Sequence, residues 1–214
     1  DDWMYGGASA WITGSYDPDT DLVYWGIGNP GPDWNPEQRP GDNLYSDSVV
    51  ALNPDTGELE WYFQFTPNDP YDYDAVQVPV LVDYPAQDGS MLKLMLFGNR
   101  NGFFYILDRA TGRFINGEPY IDLNWAEGLD DVGRPIFTPQ PPGTTTYPGV
   151  QGGTNWYSPS YSPSTRLFYL STWEGNGSNF EAQEAEYEPG RTFLGGRPAP
   201  PVPGAALPNL ARGP

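Results

Sequence analysis

The chain of 214 residues contains no cysteine and no histidine. This double absence removes thiol nucleophiles, disulfides, Ser-His-Asp triads, haem ligation and ordinary zinc sites, leaving carboxylates, amides and carbonyls as possible ligands. Any metal held by such groups is a hard, oxygen-loving cation. Basic residues are also scarce: 10 Lys and Arg stand against 28 Asp and Glu, for a formal net charge of -18. Nucleic acid and anionic membrane surfaces need positive patches, so this balance argues against both and favours soluble partners and cations. No run approaches the ~20 apolar residues of a membrane span. The opening Asp1-Asp2-Trp3 also lacks the charged and apolar regions of a signal peptide, so the chain reads as a mature, processed or partial product.

Glycine and proline, in contrast, are plentiful at 26 and 25 residues, and they lie between short aromatic and β-branched runs. That grammar predicts many turns joining short strands, an all-β chain. Gly6 to Tyr16 and Leu22 to Gly28 read as strands around the turn Asp17-Pro18-Asp19-Thr20-Asp21, and Asn29 to Gly41 reads as loop. Ser48 to Leu52 and Leu59 to Phe65 flank Asn53-Pro54-Asp55-Thr56-Gly57 as a hairpin, with Gly57 near the position that wants positive φ. Similar hairpins recur around Asp108-Arg109-Ala110-Thr111-Gly112 and, more loosely, in Tyr161 to Leu170. The turns begin at 17, 53, 108 and 162, an irregular period. Repeated short hairpins with aromatic anchors predict part of a β-propeller, with blades of four-stranded antiparallel sheets; this length holds three to four of them. Four acids between Glu181 and Glu188 read as a solvated turn, and Arg197 to Gly204 reads as extended. The expected division is a partial propeller over 1–196 and a Pro-rich extended segment over 197–214.

One acidic stretch stands out, Pro67-Asn68-Asp69-Pro70-Tyr71-Asp72-Tyr73-Asp74. On an extended backbone Asp72 and Asp74 share a face, about 7 Å apart at Cα. At about 5 Å between charges and an effective dielectric near 20, their repulsion is about 3 kcal/mol. Either one carboxylate is protonated or a cation sits between them. A solvated acidic loop is the plain alternative.

Ala51 to Trp61, reading Ala-x-Asn-x-x-Thr-Gly-x-x-x-Trp, resembles the tryptophan-docking motif that ties neighbouring blades together in quinoprotein propellers. Six further stretches occur in order: Gly-Gly-Ala-Ser-Ala-Trp at 6–11, Gly-Ile-Gly-Asn-Pro at 26–30, Arg-Pro-Gly-Asp-Asn-Leu-Tyr at 39–45, Tyr-Asp-Tyr-Asp at 71–74, Asn-Arg-Asn-Gly-Phe-Phe-Tyr at 99–105 and Gly-Gly-Thr-Asn-Trp at 152–156. From about Gly6 to Gly196 the chain resembles the middle portion of the PQQ-dependent alcohol dehydrogenases of the methanol/ethanol type, whose propeller has eight blades.

The resemblance implies roles residue by residue. Trp11 falls where the family has the tryptophan beneath the flat quinone; an ordinary blade-core tryptophan is the alternative. Ser9 matches a hydroxyl that contacts a cofactor carboxylate, although serine also forms turns. Asn29 matches the metal-binding asparagine, where a hard cation accepts a neutral amide oxygen. Asp72 matches the catalytic aspartate, both base and metal ligand, and Arg100 the cationic residue beside the reactive carbonyls. Asn155 matches an amide that contacts the cofactor, and Trp156 a wall of its pocket. Asp74 matches the second aspartate of lanthanide-type members, because a trivalent ion is better neutralised by one more carboxylate; calcium is the alternative ion.

The resemblance further implies PQQ as cofactor, a primary alcohol or related hydroxyl compound as substrate, a cytochrome c type electron acceptor and a periplasmic location. Preceding and following propeller segments, in the same or separate chains, would complete the site. The family's metal-ligand glutamate and adjacent-cysteine disulfide belong to an earlier region that cannot be placed in these residues. A non-catalytic propeller that binds ligands or proteins is a reading from another class. A glycosidase, also built from paired carboxylates and aromatic platforms, lacks a clear second catalytic acid here.

Overall fold

The computed structural model of the chain describes residues 2–141 and 143–200. Its strands are β1 (Ser15–Asp17), β2 (Leu22–Gly26), β3 (Ser48–Leu52), β4 (Leu59–Gln64), β5 (Val80–Pro85), β6 (Met91–Gly98), β7 (Phe103–Asp108), β8 (Phe114–Pro119), β9 (Ala126–Leu129), β10 (Pro135–Phe137), β11 (Ser160–Ser162), β12 (Leu167–Tyr169), β13 (Phe180–Ala182) and β14 (Gly196–Pro198). Two short 3-10 turns, Asp2–Tyr5 and Pro36–Gln38, are the other regular elements among the described residues. β1 to β4 form one antiparallel meander and β5 to β8 a second; β9–β10, β11–β12 and β13–β14 are two-stranded ladders. This is the all-β, four-stranded-blade architecture expected from the turn grammar, present as part of a propeller.

The irregular period of the turns now has a cause. Those at 17 and 53 lie in the same sheet, joining β1 to β2 and β3 to β4, whereas the turn at 108 joins β7 to β8 of the next. The two sheets pack through aromatic rings: Phe65 stacks on Phe97 at 4.5 Å and meets Tyr105 edge-on at 4.8 Å. In β7 the side chains alternate. Phe103, Tyr105 and Leu107 enter this shared core, while Phe104 and Ile106 face a second cluster that includes Phe168 of β12. Each of the large buried side chains contributes about 1.5–3 kcal/mol of hydrophobic stabilisation.

The docking tryptophan behaves as its motif predicts. A Cβ at Gly112 would lie 2.5 Å from Cε3 of Trp61, so the β7–β8 turn of the second sheet closes directly on the indole of the first. Gly112 also has φ +72°, which a larger residue resists.

Two expectations need correction. Of Gly6 to Tyr16, only Ser15 and Tyr16 lie in a strand. Gly6, Gly7 and Ala8 have φ of 87°, 87° and 51°, and they lie as a loop on residues 28–30, with a bridge between Gly7 and Pro30. The Asp72-Tyr73-Asp74 stretch is likewise not extended, since Asp72 has φ +62°. Arg197 and Pro198 lie in β14, paired with β13, and residues 201–214 are outside the described residues.

Candidate active site

Four loops at one end of the sheets build the site. The first, around Ser9, is held against the loop after β2: Ala8 N–H donates to the Asn29 carbonyl at 2.6 Å and Gly28 N–H to the Ser9 carbonyl at 2.9 Å. Gly28 is required here. A Cβ on it would stand 2.4 Å from Oδ1 of Asp74 and 3.2 Å from the Ser9 hydroxyl. The third loop, 66–74, turns about Asp69, whose Oδ1 accepts the Tyr71 N–H at 2.7 Å and whose Oδ2 accepts the Tyr73 N–H at 2.6 Å. These two bonds straddle Asp72 and hold it in the left-handed region, which a non-glycine residue adopts only under local constraint. Arg100 follows β6 on the fourth loop, and its main-chain carbonyl accepts the Gly153 N–H at 2.9 Å.

Asp72 and Asp74 meet on the Arg100 guanidinium. Nη1 lies 2.5 Å from Oδ2 of Asp74, and Nη2 lies 3.6 Å from Oδ2 of Asp72 while also donating to the Val150 carbonyl. The other oxygen of Asp74 accepts the Asn29 N–H at 2.8 Å. The cation expected between the two carboxylates is therefore, at least in part, Arg100 itself. Both acids reach it because the loop folds about Asp69, whereas strand alternation plays no part.

Positive charge nevertheless falls short. Arg39 and Arg100 are the two basic groups amid Asp33, Asp47, Asp69, Asp72 and Asp74. Burial, opposed by Arg100 and reinforced by Asp74, Asp69 and Asp33, pushes the Asp72 carboxyl up to about 8. Burial likewise lifts Asp33 to about 6, against the Asn29 side chain, and Asp69 to about 6, against its two backbone bonds. Asp47 is fully buried, neither of its carboxylate oxygens has a hydrogen-bond partner, and burial with the neighbouring Asp69 raises it well above the usual range. A carboxylate cluster this short of positive charge fits an added cation. The two carboxylates are donors of the hard-oxygen type, whereas Asn29 meets Asp74 through its main-chain N–H and its side-chain amide donates to the Pro30 carbonyl at 3.3 Å. Among the described residues no group of three or more Asp or Glu is arranged to hold an ion.

Of the residues singled out in the sequence, Ser9, Asn29, Asp72, Asp74 and Arg100 come together around Gly28 and the guanidinium. Trp11 is two residues further along the first loop and 45% exposed, with no ring contact to another described aromatic. Asn155 is buried, and its amide serves its own loop, donating to the Gln151 carbonyl at 3.0 Å and accepting the Trp156 N–H at 2.9 Å. Trp156 is 53% exposed and packs on Tyr157. Neither tryptophan makes a polar side-chain contact with the central five. Arg39, Asp33, Asp47 and Asp69 were not assigned from sequence. Arg39 and Asp69 lay inside stretches already marked, and the signal was a charged residue within a Pro- and Gly-rich loop.

A partial antiparallel propeller whose loops gather aspartates, an asparagine and an arginine defines the class. The glucose/ethanol/alcohol dehydrogenase β-propeller domain family, a PQQ family, matches residues 1–117, and the chain belongs to it. Quinoprotein alcohol dehydrogenase PedH of Pseudomonas putida is 43% identical over 205 residues, covering 90% of this chain and 34% of that protein. The dehydrogenase subunit of the quinone alcohol dehydrogenase of Gluconobacter oxydans is 47% identical over 175 residues, covering 77% of this chain and 23% of that protein. A solved europium-containing methanol dehydrogenase superposes with a TM-score of 0.84 at 38% identity, covering 92% of this chain and 35% of that one. The chain thus spans about a third or less of the length of these relatives.

Proposed function

We propose that this chain is the part of a quinoprotein alcohol dehydrogenase that carries the catalytic aspartate, two metal-ligand carboxylates and the arginine beside the reacting atoms. The observation that carries the reading is the convergence of Asp72 and Asp74 on Arg100 within a cluster short of positive charge. Asn29, Asp72 and Asp74 would hold the ion, and Ser9, Trp11, Arg100, Asn155 and Trp156 would hold PQQ. When bound, PQQ supplies the two-electron acceptor and the metal the Lewis acid that polarises it.

Asp72 is the base. With its proton affinity raised to about 8 it holds a proton near neutral pH, and a cation at the site returns it to the ionised form that can accept a hydroxyl proton. Arg100 places a fixed positive charge where negative charge develops, and its bond to the Val150 carbonyl keeps the guanidinium oriented. The Asp69 bonds hold the Asp72 carboxylate in place, so no reorganisation accompanies proton transfer.

The proposed ion is a lanthanide, supported by the second aspartate, Asp74, and by the likeness to a europium-containing enzyme. Calcium is the second reading. It is favoured by the 2.5 Å contact from Arg100 to Asp74, which already offsets that carboxylate's charge. The proposed setting is the periplasm, with primary alcohols or related hydroxyl compounds as substrates, a cytochrome c type acceptor and further propeller segments completing the site. No helix among the described residues is long and apolar enough to cross a membrane. The test is reconstitution of the full-length protein with PQQ and either ion. Near-ultraviolet absorbance beyond that of the protein and alcohol-dependent dye reduction are expected, and their absence refutes the reading. Asp74→Ala is expected to abolish lanthanide-supported turnover; unchanged lanthanide-supported activity in that variant would refute the role given to Asp74.

A further inference from the structure

Arg39 is almost fully buried, and all five of its N–H donors are used. Nε donates to the Pro32 carbonyl at 2.8 Å. Nη1 donates to the side-chain oxygens of Asn43 at 2.7 Å and Asn68 at 3.0 Å, and Nη2 to the carbonyls of Asp33 at 2.9 Å and Asp69. Three of these acceptors lie in the loop that follows Asn29 and two in the loop that leads to Asp72. No acceptor is a carboxylate, so the guanidinium acts as a backbone clamp rather than as half of an ion pair. Asn43 returns a bond to the Arg39 carbonyl at 2.7 Å.

The loops so joined hold most of the left-handed non-glycine backbone among the described residues. Of the seven non-glycine residues with positive φ among the described residues, Asn43, Asp47, Asn68 and Asp72 all lie in them. Such conformations persist only where the surroundings dictate them, and they concentrate at functional sites. Asp69 continues the clamp. Its carbonyl is held by Arg39, while its carboxylate grips the N–H groups on either side of Asp72. Arg39 to Asp69 to Asp72 is thus a hydrogen-bonded path from the Asn29 loop to the base.

We propose that Arg39 and Asp69 are positioning residues that set the placement of Asp72 relative to Asn29, beyond any part they have in folding. The inference rests on the reading of Asp72 as the base. Lysine at 39 keeps the charge but offers three donors without the planar fork, so it cannot hold five acceptors in two loops. Asparagine at 69 keeps the shape but presents an NH2 group to one of the two N–H donors.

The experiment uses the full-length protein loaded with PQQ and metal. It measures kcat per bound PQQ, with PQQ counted from its absorbance, for the wild type, Asp72→Asn, Asp69→Asn, Arg39→Lys and Arg109→Lys. Arg109 lies in a buried ion cluster between the sheets, away from these loops, and reports the effect of lost stability alone. The expected result is a fall of at least tenfold in kcat per bound PQQ for Asp69→Asn and Arg39→Lys and less than twofold for Arg109→Lys. A crystal structure of Asp69→Asn should show Asp72 out of the left-handed region. Wild-type kcat per bound PQQ in both loop variants, with Asp72→Asn inactive, overturns the positioning role alone. Full activity in Asp72→Asn overturns the reading of the base beneath it. Arg39→Lys keeps the test decisive should Asp69→Asn fail to fold.

Discussion

Arg109 and Arg100 are both buried arginines flanked by aspartates, and the two clusters around them are balanced in opposite ways. Arg109 sits between the sheets. Its Nε meets Oδ2 of Asp17 at 2.6 Å, its Nη1 meets Oδ1 of Asp83 at 2.8 Å, and Lys93 adds a second positive charge against Asp83 and Asp19. Burial works to raise Asp17, but Arg109, the Asp19 N–H and the Thr20 hydroxyl outweigh it and hold the carboxyl below the usual range. Near Arg100 the acids outnumber the bases, and Asp72, Asp69 and Asp33 are all raised. The first cluster is complete as a structural joint. The second is short of positive charge, which is what the proposed cation site requires.

The strongest way to break this comparison is to remove the proposed base. Asp72→Asn is expected to lower alcohol-dependent dye reduction by about 10²–10⁴-fold while leaving the melting temperature of the metal-free protein near that of the wild type, because the carboxyl already holds a proton at neutral pH and a neutral amide takes its place. A large loss of stability with little loss of turnover would reverse the roles assigned to the two clusters. The joint should respond in the opposite sense. Arg109→Ala strands Asp17 as an unpaired buried charge, and about 3–5 kcal/mol of stability should be lost, read by denaturant unfolding, with turnover per bound PQQ retained.

Most of the scaffold was legible in the sequence because it is local. Asp17-Pro18-Asp19-Thr20-Asp21 and Asp108 to Gly112 declare their turns through Asx bonds, as when Asp108 Oδ1 accepts the Ala110 and Thr111 N–H groups. β6 was harder to see. Met91 to Gly98 is nearly continuous in apolar residues, without the alternation that marks a strand, because Leu94 and Leu96 face one cluster while Met95 and Phe97 face another. The candidate site was legible as a set of residue types but not as a geometry. Asp72 and Asp74 were expected to align by strand alternation, whereas their meeting depends on two backbone bonds to Asp69 and on Arg39, contacts that no periodicity encodes.

A smaller effect sharpens the comparison through pH. Asp17 and Asp83 have lowered proton affinities in the folded state, so the stability they contribute is present above their ordinary 3.8 and is lost as pH falls through the acid range. Asp33 and Asp69, at about 6, and Asp72, at about 8, are raised above 3.8, so their contribution is fully present below about pH 4 and is lost as pH rises through 6 to 8. The metal-free protein should therefore melt at a lower temperature at pH 8 than at pH 5, and a bound cation should reduce that difference. A melting temperature that rises from pH 5 to pH 8 without metal would contradict the account of the second cluster.

The most direct test is calorimetric. A lanthanide ion is titrated at pH 7 into the full-length, PQQ-loaded, metal-free protein in two buffers of different ionisation enthalpy, for the wild type and for Asp72→Asn. Cation binding to a carboxyl raised to about 8 must displace its proton. The wild type should release more protons than the variant, by close to one per ion bound. Equal proton release from the two proteins would mean that Asp72 is already ionised without the metal, and the cluster would not be waiting for a cation.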